Sequence, residues 1–125
     1  FGARVLINGD AGLAEACGAD GIHLPASQLA AMDRRPAFPL VAASCHEVSD
    51  LRRASGLGCD FAVFGPVKAT ASHPGVAGMG WTTFAAAVGV PPLPVFALGG
   101  LGRADLDAAQ RAGAHGVAAI RAAWV

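Results

Sequence analysis

The chain has 125 residues, nine basic and nine acidic side chains, and a hydrophobic content of 54%. That length fits a single domain, and the zero formal charge provides no basic field to recruit nucleic acid or an anionic membrane. No apolar run approaches the roughly 18 residues that a spanning helix needs. The three cysteines, Cys17, Cys45 and Cys59, form no CxxC pair. They support neither a disulfide framework nor a zinc site, so a reduced, cytoplasmic setting is expected.

Taken in order, Arg4 to Asn8 reads as a strand that ends in the turn-forming triplet Asn8-Gly9-Asp10. Leu13 to Cys17 is a short helix closed by Gly18. Gly21 to Leu24 is a second strand stopped by Pro25, and Ser27 is suited to cap a helix reaching Met32. A connection bearing Pro36 and Pro39 leads to the third strand, Leu40 to Ser44, and then to a helix over Val48 to Ser55. Phe61 to Phe64 is too short for a helix and is flanked by Asp60 and Gly65-Pro66, the form of a strand buried on both faces. The loop after it runs to Gly80 and carries Lys68, Thr70, Ser72 and His73. Ordered loops longer than about 12 residues are uncommon and usually functional. Thr82 to Val88 is a helix, Pro94 to Leu98 the fifth strand, Ala104 to Ala112 a helix, and Gly116 to Ile120 the sixth strand; Arg121 to Trp124 is suited to open a last helix.

One joint recurs through the chain. Cys17-Gly18-Ala19-Asp20-Gly21, Leu57-Gly58-Cys59-Asp60-Phe61 and Ala112-Gly113-Ala114-His115-Gly116 each place a glycine, a small residue and a polar residue between helix end and strand. Strand starts recur about every twenty residues, the beat of a βα series. Such a series winds into a closed barrel or an open doubly wound sheet. The barrel is favoured here, because polar or glycine-rich groups follow almost every strand at its carboxyl end. These include Asn8, Ser44-Cys45-His46, Gly65 to Ser72, Gly99-Gly100 and Arg121. A doubly wound sheet would gather them at one switch point.

Phe64-Gly65-Pro66-Val67 with Thr70 and Ser72, Phe96-Ala97-Leu98-Gly99-Gly100-Leu101, and Gly113-Ala114-His115-Gly116-Val117-Ala118 resemble the thiamine phosphate synthase and TenI (thiazole tautomerase) superfamily. The resemblance covers essentially the whole chain. It implies a (β/α)8 TIM-type barrel of which about six βα units, strands three to eight, are present. Residues 1–125 would then be a single, N-terminally incomplete domain, with a fused or lost amino-terminal partner such as a Nudix hydrolase. Six strands leave two open edges and an unfinished core, so the piece alone is expected to be unstable unless something fills the gap. Homo-oligomerisation stays open.

Carried over, Asn8 corresponds to the Asn of an Asn-Asp pair whose acid, a magnesium ligand, is Gly9 here. His23 to Gln28 corresponds to a His-Leu-Gly-Gln-x-Asp stretch whose acid, the other magnesium ligand, is Gln28. Thr70 and Ser72 match the two threonines of the diphosphate loop, and the lysine after them is His73. Mg²⁺ is usually held by one or two carboxylates together with substrate phosphates. No metal or other cofactor is therefore expected, with Mg²⁺ entering only if the chain is a synthase. Ser44-Cys45-His46 supplies the Ser-x-His of the TenI branch, whose His shuttles protons, work suited to a near-neutral pKa.

The resemblance thus makes His46 the catalytic candidate, although a His there can instead cap the next helix. Asn8, Ser44, Thr70 and Ser72 are the substrate-binding candidates, and Gly99, Gly100, Ile120 and Arg121 the phosphate-binding ones. Gly99-Gly100 can present main-chain N–H groups to phosphate at the next helix start, or simply make a tight turn. Arg121 can add a charge-assisted contact or face solvent. Cys45 lacks a readable base, and His23 reads as a core histidine. The expected partner is a phosphorylated thiazole, with metal-independent tautomerisation ranked first. Thiamine phosphate synthesis and a non-catalytic sensor or accessory domain are the alternatives.

Overall fold

The computed structural model describes residues 2–70, 74–89 and 91–123. Six parallel strands form one sheet: β1 (Leu6–Asn8), β2 (Gly21–Leu24), β3 (Leu40–Cys45), β4 (Phe61–Phe64), β5 (Val95–Leu98) and β6 (Gly116–Ala118). The helices between them are α1 (Ala11–Ala16), α2 (Ala26–Ala31), α3 (Val48–Leu57), α4 (Gly80–Val88) and α5 (Leu106–Arg111). Each strand pairs with its sequence neighbour, and the order never reverses. A doubly wound sheet requires a reversal. Steady advance by one place per βα unit is the winding of a (β/α)8 barrel, and the chain forms a six-stranded part of one.

The two faces of the sheet differ. Ile22, Leu24, Val41, Cys45, Phe64 and Val95 are at most 2% exposed and join Leu29, Leu51 and Phe84 of the helices in one core. Full burial of a side chain such as Phe64 or Phe84 contributes roughly 1.5–3 kcal/mol; their rings meet at 5.5 Å. On the other face the register sets Asn8 beside His23, Ser44 beside Val63, Val63 beside Phe96, and Leu98 beside Ala118. Phe61 and Phe96 cross there edge to face at 5.4 Å. Most of these concave-face side chains are half-buried.

The repeated joints are clamps. Asp20 donates its N–H to the Val5 carbonyl at 2.8 Å and takes the Val5 N–H on Oδ2 at 2.7 Å. Asp60 does the same to Val41, at 2.7 and 2.8 Å. His115 keeps the main-chain half, donating to the Val95 carbonyl at 2.8 Å, while its ring lies on Phe96. Gly18, Gly58 and Gly113, each two residues before its clamp, all take the positive φ that lets the helix stop. Arg35 adds to the second joint by donating to Asp60 Oδ2 at 2.9 Å and to the Phe38 carbonyl at 3.0 Å. Burial pushes the Asp60 carboxyl up, but the Val41 N–H and the Arg35 guanidinium outweigh it and hold it below its ordinary range.

Several expected boundaries are corrected. The first helix starts at Ala11, because Asp10 Oδ1 accepts the Leu13 N–H at 2.9 Å and caps it. Ser27 is not a cap: α2 begins at Ala26, directly after Pro25. The stretch after β5 opens with a 3-10 turn (Arg103–Asp105) before α5, and β6 ends at Ala118 rather than Ile120. Arg121–Ala123 forms only a 3-10 turn; Trp124 lies outside the described residues. Among those residues no helix is long and apolar enough to cross a membrane.

Candidate functional site

Parallel pairing between β4 and β5 continues past the strands. Val67 N–H donates to the Leu98 carbonyl at 2.9 Å and Lys68 N–H to the Gly99 carbonyl at 3.1 Å. The two loops are thereby drawn so close that a Cβ on Gly99 would lie 2.5 Å from Pro66 Cα, and Gly99 also holds φ +111°. Only glycine fits both demands. The far end of the β4 loop folds back on its start through Met79 N–H to the Pro66 carbonyl and Gly80 N–H to the Val67 carbonyl, both at 2.9 Å.

Beside this zipped pair lies a cavity of about 260 Å³ at the carboxyl ends of β5 and β6. One wall is the Gly99–Gly102 main chain, another runs from Ala118 to Ala122, and His46 and Thr70 close it from the β3 and β4 sides. The cavity thus collects His46, Thr70, Gly99, Gly100, Ile120 and Arg121 from the sequence candidates. Ser44 and Asn8 lie outside it: Ser44 is hydrogen-bonded to His23, and Asn8 ends β1 at the opposite edge of the sheet. Ser72 and His73 fall outside the described residues. The expected helix start behind Gly99-Gly100 is displaced by the 3-10 turn, so the wall is a loop and not the end of a helix.

Gly65, read from sequence as a rim residue, lines the cavity, and sequence reading missed Gly102 and the small pair Ala118-Ala119. The usable signal was the small pair at the end of β6, which leaves room where larger residues would fill it.

His46 does not cap α3. That task belongs to Glu47 and Asp50, and Asp50 Oδ2 accepts the His46 main-chain N–H at 2.8 Å. The His46 ring reaches the cavity with Nδ1 at 2.9 Å from the Gly65 carbonyl. A carbonyl only accepts, so Nδ1 carries the proton there. The neighbouring Cys45 is buried with its pKa pushed up to about 12 by burial, then by the Asp50 and Cys59 charges, so it stays a thiol at neutral pH. His23 Nε2 meets Ser44 Oγ at 2.6 Å, and burial lowers its pKa from the usual value, favouring the neutral ring.

The positions that the resemblance gives to magnesium ligands meet each other. Gln28 Nε2 donates to the Gly9 carbonyl at 3.0 Å, filling with an N–H donor the place where a cation would need oxygen. The adjacent Asp10 is committed to capping α1. Among the described residues no group of three or more His, Cys, Asp or Glu side chains is arranged to hold a metal. These residues do not fit a divalent cation at the β1–β2 rim.

A barrel-type βα domain with a small-molecule-sized cavity at the carboxyl ends of its strands is the class that fold and site define. The family model described as thiamine monophosphate synthase (TMP-TENI) matches residues 1–123, and the chain belongs to that family. It is 40% identical over 126 residues to a putative thiamine-phosphate synthase of Geobacter sulfurreducens, covering 98% of this chain and 59% of that protein. A thiamine-phosphate synthase of Thermosynechococcus vestitus is 34% identical over 130 residues, covering 98% of this chain and 36% of the relative. The chain therefore spans well under two thirds of these relatives. A thiamine phosphate pyrophosphorylase structure from Pyrococcus furiosus superimposes with a TM-score of 0.74 over 94% of this chain and 57% of that one; at 22% identity it supports the fold alone. The chain is thus a thiamine-phosphate synthase-like domain. The expected ranking is corrected, because these relatives carry synthase names and none speaks for the tautomerase.

Proposed function

We propose that this chain forms the phosphate-binding part of a thiamine-phosphate synthase-type enzyme, one that joins a pyrimidine diphosphate to a thiazole phosphate. The cavity carries this reading: a glycine-walled pocket of about 260 Å³ with an arginine in its lining suits a small phosphorylated molecule. The main chain of Gly99–Gly102 faces the phosphate, Arg121 adds a charge-assisted contact, and Thr70 offers a hydroxyl. Ile120 gives the thiazole an apolar neighbour. Ser72, two positions after Thr70 in the sequence, is assigned to the same phosphate, and Asn8 and Ser44, on the concave rim, to the other half of the substrate. No step is assigned to a metal, since Gln28 and Gly9 satisfy each other. The three free thiols suit a reducing, cytoplasmic setting.

A second reading rests on His46. With Nδ1 protonated toward Gly65, the other ring nitrogen is the basic one, as proton transfer within the same pocket requires. That supports tautomerisation of a thiazole carboxylate phosphate.

Calorimetric titration of the full-length protein with thiazole phosphate tests the pocket. Binding that weakens about tenfold in Arg121→Ala, the scale of one charge-assisted contact, is expected. No binding, or binding indifferent to Arg121→Ala, defeats the phosphate reading. Coupling of added pyrimidine diphosphate selects the synthase. Tautomerisation without coupling, abolished in His46→Ala, selects the second reading.

A further inference from the structure

Behind the cavity wall, two charged side chains join the two loops that build it. Lys68 belongs to the loop after β4, and its Nζ lies 2.7 Å from Asp105 Oδ1. Asp105 belongs to the 3-10 turn after β5, and its Oδ2 accepts the Gly102 N–H at 2.9 Å. One carboxylate therefore grips the end of the Gly99–Gly102 wall and, through Lys68, the loop against which that wall leans. Contact is already close, since a Cβ on Gly100 would lie 3.1 Å from Lys68 Cβ. Neither Lys68 nor Asp105 lines the cavity. The Lys68 ammonium, followed by the Gly102 N–H, holds the Asp105 carboxyl below its usual range, so it is a carboxylate at neutral pH.

The Lys68 side chain is 51% exposed and that of Asp105 20%. Ion pairs so open to solvent add little to global stability. The pair does bridge two loops, joining residues 37 positions apart behind the cavity wall. We propose that Lys68 and Asp105 form a positioning latch, which sets the Gly99–Gly102 wall at phosphate-binding distance without touching the ligand. The latch rests on the phosphate reading of the cavity.

Sign separates this from a simple field effect. If the two charges acted only through their fields, losing Lys68 would weaken anion binding and losing the Asp105 charge would strengthen it. A latch weakens binding in both cases. The experiment titrates full-length wild type, Lys68→Met, Lys68→Arg and Asp105→Asn with inorganic phosphate and with thiazole phosphate, and records amide hydrogen exchange over residues 99–102 without ligand. Affinity is expected to fall about 3- to 5-fold in both Lys68→Met and Asp105→Asn, the scale of a partly exposed ion pair, and to recover in Lys68→Arg. Exchange over the wall is expected to rise in Lys68→Met, a readout that stands even where Asp105→Asn disturbs the Gly102 cap. Asp105→Asn binding as tightly as wild type or tighter, or unchanged exchange in Lys68→Met, overturns the latch and leaves the pocket reading intact. Wild type that binds neither probe overturns the pocket reading, and the latch falls with it.

Discussion

The two ends of the sheet treat the same architectural position in opposite ways. At the β5–β6 rim a glycine wedged against Pro66 and the small side chains of Ala118 and Ala119 leave a cavity bordered by main chain. At the β1–β2 rim the Gln28 amide reaches the Gly9 carbonyl and Asp10 turns away to cap α1. A cavity opens where side chains are missing or small and leave polar main chain at the surface. It closes where one flexible amide satisfies the nearest carbonyl.

The largest effect that separates the ends is expected from Gly99→Ala. The new methyl would meet main chain at 2.5 Å, not a movable side chain, and φ is +111°. Backbone strain alone costs on the order of 1–3 kcal/mol, and relieving the clash pulls the β4 and β5 loops apart. Gly9→Ala is the matched control: it also holds positive φ, at +72°, but its nearest neighbour is the Gln28 amide, which can swing away. Both variants should melt lower than wild type, yet only Gly99→Ala should lose phosphate binding in the titration. Equal loss in both would erase the distinction between the ends.

A smaller effect concerns His23 of β2, whose ring meets Ser44 of β3. Burial lowers its pKa, so the unfolded chain takes up a proton that the folded chain resists. Stability is therefore full above the unfolded value of about 6.5 and declines as pH falls from there through the lower folded pKa. Asp60 and Asp105, both held low, contribute stability that disappears only at more acid pH. Melting temperatures at about pH 7.5 and about pH 5 should differ in wild type and differ less in His23→Gln, which keeps an amide for Ser44. An unchanged difference would mean that another group titrates there.

The barrel winding was legible because each joint carries its own chemistry: glycine to stop the helix, then Asp20 or Asp60 to clamp the preceding strand. Such signals lie within a few positions of one another. His46, Thr70 and the Gly99-Gly100 turn were legible as rim residues because polar groups directly after a parallel strand can only emerge at its carboxyl end. Asn8 and Ser44 obey the same rule yet miss the cavity, since sequence reports which end a residue occupies and not how far around the sheet it stands. Contacts such as Gln28 to Gly9 or Lys68 to Asp105 span 19 and 37 positions and depend on which loops approach. No local pattern encodes them. Helix starts were misread where a neighbour overrode propensity, as with Asp10 ahead of α1 and Pro25 ahead of Ser27.

The smallest expected effect is also the sharpest test of the closed rim. If the Gln28–Gly9 contact truly occupies the place of a cation, phosphate affinity of wild type should agree within about twofold in excess Mg²⁺ and in chelator, because no carboxylate is available there to hold the ion. Gln28→Glu changes only the donor. Where Nε2 now lies 3.0 Å from the Gly9 carbonyl, a carboxylate oxygen would confront that oxygen. Two facing oxygens repel each other and are relieved by a cation between them. The melting temperature of Gln28→Glu should therefore fall in chelator and rise with Mg²⁺ or Ca²⁺, while that of wild type stays level. A wild-type protein that itself gains stability and phosphate affinity with Mg²⁺ would place a cation site on residues other than Gly9 and Gln28, and the contrast between the two rims would have to be redrawn around it.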